Sequence, residues 1–97
     1  MNKFKPFNIS IVIPIRNDTT SLGPLLSIIN NQSLVPNEIV IVDSSTDKLV
    51  FDLINNFEGF VPIIYHHEKK AYPGKARNIG VDLANEKWIA FLDCKTV

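Results

Sequence analysis

Two kinds of apolar pattern take turns along this chain. Short continuous runs, Ile9-Ser10-Ile11-Val12-Ile13, Ile39-Val40-Ile41-Val42, Ile63-Ile64-Tyr65 and Trp88-Ile89-Ala90-Phe91-Leu92, are rich in β-branched and aromatic residues and read as strands. Between them, apolar residues recur three and four apart. Leu22, Leu25, Leu26 and Ile29 mark one helix face, Val50, Leu53, Ile54 and Phe57 a second, and Ala76, Ile79, Gly80 and Leu83 a third. Pro14 is expected to stop the first strand and Pro62 to precede the third. Thr20 or Ser21 is the expected cap of the first helix, with Pro24 in its first turn, and Ser45 or Thr46 that of the second.

The order is strand and helix in strict alternation, which predicts a three-layer α/β/α fold around a mostly parallel sheet. Unbroken apolar strands, rather than alternating ones, suit a sheet covered on both faces. The last strand has no helix after it, so part of one sheet face is expected to lie bare, and self-association through that face follows.

Composition narrows the class only a little. At 97 residues the chain makes one small domain, residues 1–97, with 45% hydrophobic and 21% charged residues as in ordinary globular proteins. Ten basic and ten acidic residues cancel, so net charge does not point to a strongly basic surface for nucleic acid. The single cysteine, Cys94, permits no internal disulfide and reads as a small packing residue in a reducing compartment. Pro14 and Arg16 interrupt the one apolar stretch near the N-terminus, so no leader or membrane span is read. The expectation is a cytoplasmic protein, with peripheral attachment at the inner membrane surface left open.

The candidate chemistry gathers at strand ends. Asp43 and Asp93 each follow a buried strand directly. Ligands of open α/β sheets bind beyond the carboxyl ends of the strands, so two such acids point to one polar site. Asp93 is suited to a sugar hydroxyl or a metal ion. Lys75 and Arg77 are read into the first turn of the third helix, where a cation opposes the helix dipole unless an anion lies between it and the free N–H groups. A solvated Pro-Gly turn is the competing explanation. Adjacent side chains diverge, so His66 and His67 are not read as a chelating pair. No glycine-rich dinucleotide fingerprint or Walker loop is present.

These residues resemble family-2 glycosyltransferases. Ser10-Ile11-Val12-Ile13-Pro14-Ile15-Arg16-Asn17 is similar to their opening V-S-I-V-I-P-T-Y-N, and residues 38–47 to their second strand and its D-D/S/N-x-S-T-D loop, which is one residue shorter here. Gly74-Lys75-Ala76-Arg77-Asn78-Ile79-Gly80 resembles their A-R-N-x-G helix start, and residues 88–95 their W-I-x-F-L-D-x-D strand. The resemblance implies the donor-binding half of a Rossmann-like GT-A fold, truncated before the acceptor half, and a nucleotide-diphosphate sugar donor. It implies that Pro14, Ile15, Asp43 and Ser44 hold the base, that Arg77 flanks it or braces the Asp43-Ser44 loop, and that Asp93 meets the ribose or a divalent cation, manganese or magnesium. Lys75 and Lys95 would face the diphosphate. Lys95 stands where the family pattern has a second acid, and Ser44 where many members have another acid. A cation at position 95 either replaces the metal or marks a degraded donor site. The acceptor, whether glycan, lipid or protein, stays unidentified, and no residue is read as the general base that inverting transfer requires. A non-catalytic nucleotide-binding or interaction module is the alternative. A flavodoxin-like or response-regulator-like domain is a weaker one.

Overall fold

A computed structural model describes residues 5–93, with side chains from residue 8 onward. Seven elements follow in the expected alternation: β1 (Lys5–Ile15), α1 (Thr19–Asn30), β2 (Leu34–Asp43), α2 (Leu49–Asn56), β3 (Ile63–His67), α3 (Pro73–Leu83) and β4 (Trp88–Phe91). The strands form one sheet in the order β3-β2-β1-β4, and every described pairing is parallel.

Period-two alternation sends successive strand residues to opposite faces. Ile13, Ile15, Ile39 and Ile41 face α1 and α2, where they meet Leu22, Leu25, Leu26, Ile29 and Val50. Val12, Val40 and Val42 face the other way and pack on Ala71 and Ala76, with Ile79 and Leu83 beside them. The layers are therefore α1 and α2, the sheet, and α3. On the α3 side the approach is close: a Cβ built on Gly80 would collide with Val12 Cγ1, so only glycine lets the helix sit at this depth.

Several expected boundaries moved, each for a physical reason. β1 runs through Pro14 instead of stopping there. Ile15 accepts from Ser44 N on the β2 side, whereas Val12 accepts from Leu92 N on the β4 side. Alternation puts Pro14 with Val12, facing β4, whose pairing with β1 ends at Phe91. The missing N–H of Pro14 thus falls where no ladder bond is needed. The cap of α1 is Asp18, whose Oδ1 accepts from Ser21 N at 3.2 Å, rather than Thr20 or Ser21. Pro24 consequently lies inside α1, beyond its first turn, on an exposed face. Ser45 and Thr46 do not cap α2; Asp47 Oδ1 instead accepts from Leu49 N at 3.0 Å.

The edge strand β4 departs from the picture of a sheet buried on both faces. Trp88 is 68% exposed and Phe91 46%, so this end of the sheet is open to solvent. At the amino ends of the strands a buried carboxylate ties elements together. Glu38 accepts from Ser10 Oγ at 2.7 Å and from the Asn85 backbone and side chain at 2.6 and 2.9 Å. Burial works to raise its pKa, but these three hydrogen bonds together win and hold Glu38 below the usual carboxylate range.

Candidate functional site

Strand order places the site. The chain steps from β1 to β2 to β3 in one direction and then crosses back to β4 on the far side of β1. β1 leads into α1 on one face of the sheet, whereas β4 is entered from α3 on the other, and the carboxyl-end gap between these two strands is the topological switch point. A groove of about 310 Å³ lies there. Its walls are Pro14, Ile15, Arg16 and Asp18 after β1, Ser44 after β2, Ala71, Tyr72, Pro73, Ala76 and Arg77 around the start of α3, and Phe91, Leu92 and Asp93 at the end of β4.

Five residues singled out from sequence, Pro14, Ile15, Ser44, Arg77 and Asp93, meet in this one groove although they come from four parts of the chain. Asp43 does not line it. Its side chain is fully buried, with Oδ1 accepting from Ser45 N at 2.8 Å and Oδ2 accepting from Tyr65 Oη at 2.6 Å. Alternation explains this: Asp43 shares a face with Ile39 and Ile41, which look toward α1 and α2. The next residue, Ser44, is the one that reaches the groove. Burial first, and then the bond to Asp43, push the Tyr65 hydroxyl well above its ordinary pKa, so it stays a donor.

Lys75 is also outside the groove. Counting from Pro73, it lies in the first turn of α3, whereas Arg77 begins the second. The Lys75 side chain is 57% exposed and its ammonium pairs with Glu68 Oε2 at 3.5 Å, while His66 Nε2 meets Glu68 Oε1 at 2.9 Å. The bond from His66, with the charge of Lys75 adding to it, outweighs desolvation and holds the Glu68 carboxyl below its usual range. Lys95 and Cys94 lie outside the described residues.

The loops that form the groove floor are clipped together. Asn17 takes a left-handed φ of 52°, a conformation asparagine tolerates better than most residues. Its N–H donates to Ser45 Oγ at 2.8 Å, and its Oδ1 accepts from Thr46 N at 3.0 Å. His67 Nε2 meets the Ser45 carbonyl at 3.0 Å. Ser45, Thr46 and Asn17 thus lock the β1 and β2 loops into one rigid floor.

Two cations, Arg16 and Arg77, and two carboxylates, Asp18 and Asp93, border an otherwise mostly apolar cleft. Such a cleft suits a ligand with a flat or apolar part and an anionic part. Among the described residues no three His, Cys, Asp or Glu side chains converge as a metal-binding group. Sequence reading missed Arg16, Asp18 and Tyr72 as groove residues. Their positions next to Pro14-Ile15 and Pro73 were the available signal.

The family model for glycosyl transferase family 2 matches residues 10–94. The chain belongs to that family. An uncharacterized glycosyltransferase of Rickettsia bellii is 28% identical over 85 residues, covering 88% of this chain and 12% of the relative. The amylovoran biosynthesis glycosyltransferase AmsB of Erwinia amylovora is 30% identical over 93 residues, covering 92% of this chain and 31% of AmsB. Chondroitin synthase of Escherichia coli is 30% identical over 89 residues, 89% of this chain and 13% of that enzyme. This family-2 chain therefore spans between about an eighth and a third of the length of these relatives. Among solved structures, S. aureus TarS 1-349 superposes with a TM-score of 0.63 at 23% identity, over 89% of this chain and 27% of TarS. That likeness establishes the GT-A glycosyltransferase fold. No helix among the described residues is long and apolar enough to cross a membrane.

Proposed function

We propose that this family-2 chain binds the nucleoside diphosphate of a sugar donor in the switch-point groove and stabilises it as the leaving group of glycosyl transfer. The observation that carries this reading is the convergence of Pro14, Ile15, Ser44, Arg77 and Asp93 on one groove. The Pro14–Ile15 segment and Ser44 form the wall for the base. Asp43 serves from behind, fixing the loop that presents Ser44 through its bonds to Tyr65 and Ser45. Asp93 accepts from ribose hydroxyls.

Negative charge growing on the departing diphosphate needs fixed positive partners. Arg77 and Arg16 border the groove. Lys75 is held only by an exposed ion pair with Glu68, and such pairs contribute little, so it is readily recruited to phosphate. Lys95 occupies the sequence position of a family acid and supplies a point charge. A divalent cation on a diphosphate is held by one or two carboxylates and the phosphate oxygens. Here the neighbouring pattern is one acid, Asp93, followed by a cation at Lys95, which disfavours that arrangement and favours lysine as its replacement. The transfer is read as inverting, and a nucleotide-sugar donor fits a cytoplasmic reaction.

The second reading is a nucleotide-binding or interaction module without transfer chemistry, which the same Lys95 favours. Exposure of Trp88 and Phe91 supports self-association of the 97-residue chain, a matter for sizing with light scattering. Calorimetry with UDP, GDP, CDP and dTDP, each with manganese and with chelator, separates the two main readings when run on wild type and Lys95→Asp. Binding in chelator that turns manganese-dependent in the variant supports the donor site with lysine in the cation's place. Binding to none of the four by a folded chain leaves the interaction module.

A further inference from the structure

The rim of the groove carries an aromatic ring that the fold does not use. Tyr72 is 78% exposed, more than any other exposed large hydrophobic side chain among the described residues. It sits at the N-cap of α3 yet makes no capping bond with its side chain. Among the described residues its hydroxyl has no hydrogen-bond partner and its ring no aromatic one.

Its backbone, by contrast, is firmly held. Lys70 turns the chain through a left-handed φ of 59°. Ala71 is anchored in the cluster with Val12, Val40 and Val42. Pro73 opens the helix rigidly, and the Tyr72 carbonyl accepts from Ala76 N at 2.9 Å. The ring is thus displayed at the groove from a fixed mount, and only two side-chain torsions need ordering when a ligand arrives. Arg77, which is suited to an anion, lies on the same wall, and Arg16 completes the lining.

A fixed aromatic face beside cations matches a flat ring that carries an anionic tail. We propose that Tyr72 is the stacking platform for the base of the bound nucleotide, an inference that rests on the donor-site reading above. Every base offers a π-face, so this contact adds affinity without choosing among bases. Selection falls to the polar edge presented by Ser44 and the Pro14–Ile15 backbone.

The test is calorimetry of UDP, GDP, CDP, dTDP, UDP-glucose and pyrophosphate with wild type, Tyr72→Phe and Tyr72→Ala. Tyr72→Ala is expected to weaken the best-bound nucleoside diphosphate about ten-fold or more, the scale of one base–aromatic stack. Tyr72→Phe keeps the ring and stays within about two-fold of wild type, since stacking does not need the hydroxyl. Pyrophosphate binding and the thermal midpoint stay unchanged in both variants, because Tyr72 supports neither. Wild-type affinity in Tyr72→Ala, equal losses in Phe and Ala, or an equal loss for pyrophosphate overturns the platform while leaving the donor site standing. A loss for UDP-glucose with none for UDP assigns the ring to the sugar and also overturns it. Failure of folded wild type to bind any nucleotide overturns platform and donor site together.

Discussion

Tyr65 donates its hydroxyl to Asp43 Oδ2 at 2.6 Å, joining the middle of β3 to the end of β2. The bond crosses one parallel ladder, in which Ile41 is the register partner of Tyr65 and Asp43 that of His67. Phe51 of α2 packs edge-on against the Tyr65 ring, with centroids 5.3 Å apart, and so fixes the donor. Tyr65→Phe keeps that packing but leaves one oxygen of a fully buried carboxylate without its partner. The expected cost is about 1–3 kcal/mol of stability, read from urea unfolding. An unchanged midpoint would mean that Asp43 finds another donor.

Glu38→Gln should be costly at neutral pH and almost harmless in acid. The carboxylate accepts three hydrogen bonds, and an amide nitrogen in place of one oxygen cannot accept. The folded-state pKa lies below the ordinary value of 4.5. The ionised form therefore contributes stability above that value, and the contribution is lost as pH falls through the lower, folded-state pKa. Wild type should lose stability on acidification more steeply than the variant. Parallel slopes in unfolding midpoint against pH would contradict the assignment.

The two helical glycines of α3 should respond oppositely to alanine. A Cβ at Gly80 collides with Val12, so Gly80→Ala overpacks the sheet and costs about 1–3 kcal/mol. Nothing lies within 4 Å of a Cβ at Gly74, and its φ is not positive. Gly74→Ala should thus gain a few tenths to about 1 kcal/mol from helix propensity. Thermal denaturation of both variants checks the pair.

Asn30 links the end of α1 to the segment before β3. Its Oδ1 accepts from Phe60 N and Val61 N, each at 3.0 Å, while its Nδ2 donates to the Leu26 carbonyl at 2.8 Å. Asn30→Leu removes the acceptor for both backbone donors. The loss should reach about 2 kcal/mol or more, since the Val61 bond is buried. Faster amide exchange at Phe60 and Val61 would localise it.

Alternation of strand and helix patterns made the fold legible, because a 97-residue parallel sheet has few other ways to bury its apolar runs. The groove was legible at Pro14, Ile15, Ser44, Arg77 and Asp93, since strand ends and a helix start converge at the switch point. Partners distant in sequence were not. Glu38 directly precedes the apolar run Ile39 to Val42, and nothing beside it in sequence points to its partners, which lie 28 and 47 positions away. The inward turn of Asp43 was in principle readable from its parity with Ile39 and Ile41, but its partner Tyr65 depends on cross-strand register. The cap of α1 moved because Asp18 accepts from Ser21 N and so starts the helix ahead of Thr20 and Ser21, a choice among neighbouring cap residues that local sequence does not rank.

The most direct test of the central claim is an amide NMR titration of the isotope-labelled chain with UDP, GDP, CDP and dTDP. The account predicts that at least one shifts the amides of Ile15, Ser44, Tyr72, Arg77 and Asp93 together. Asn85 and Glu86, at the opposite end of the sheet, should stay in place. Saturable shifts centred on Asn85 and Glu86 with none at the groove, or no shifts with any of the four, would contradict it.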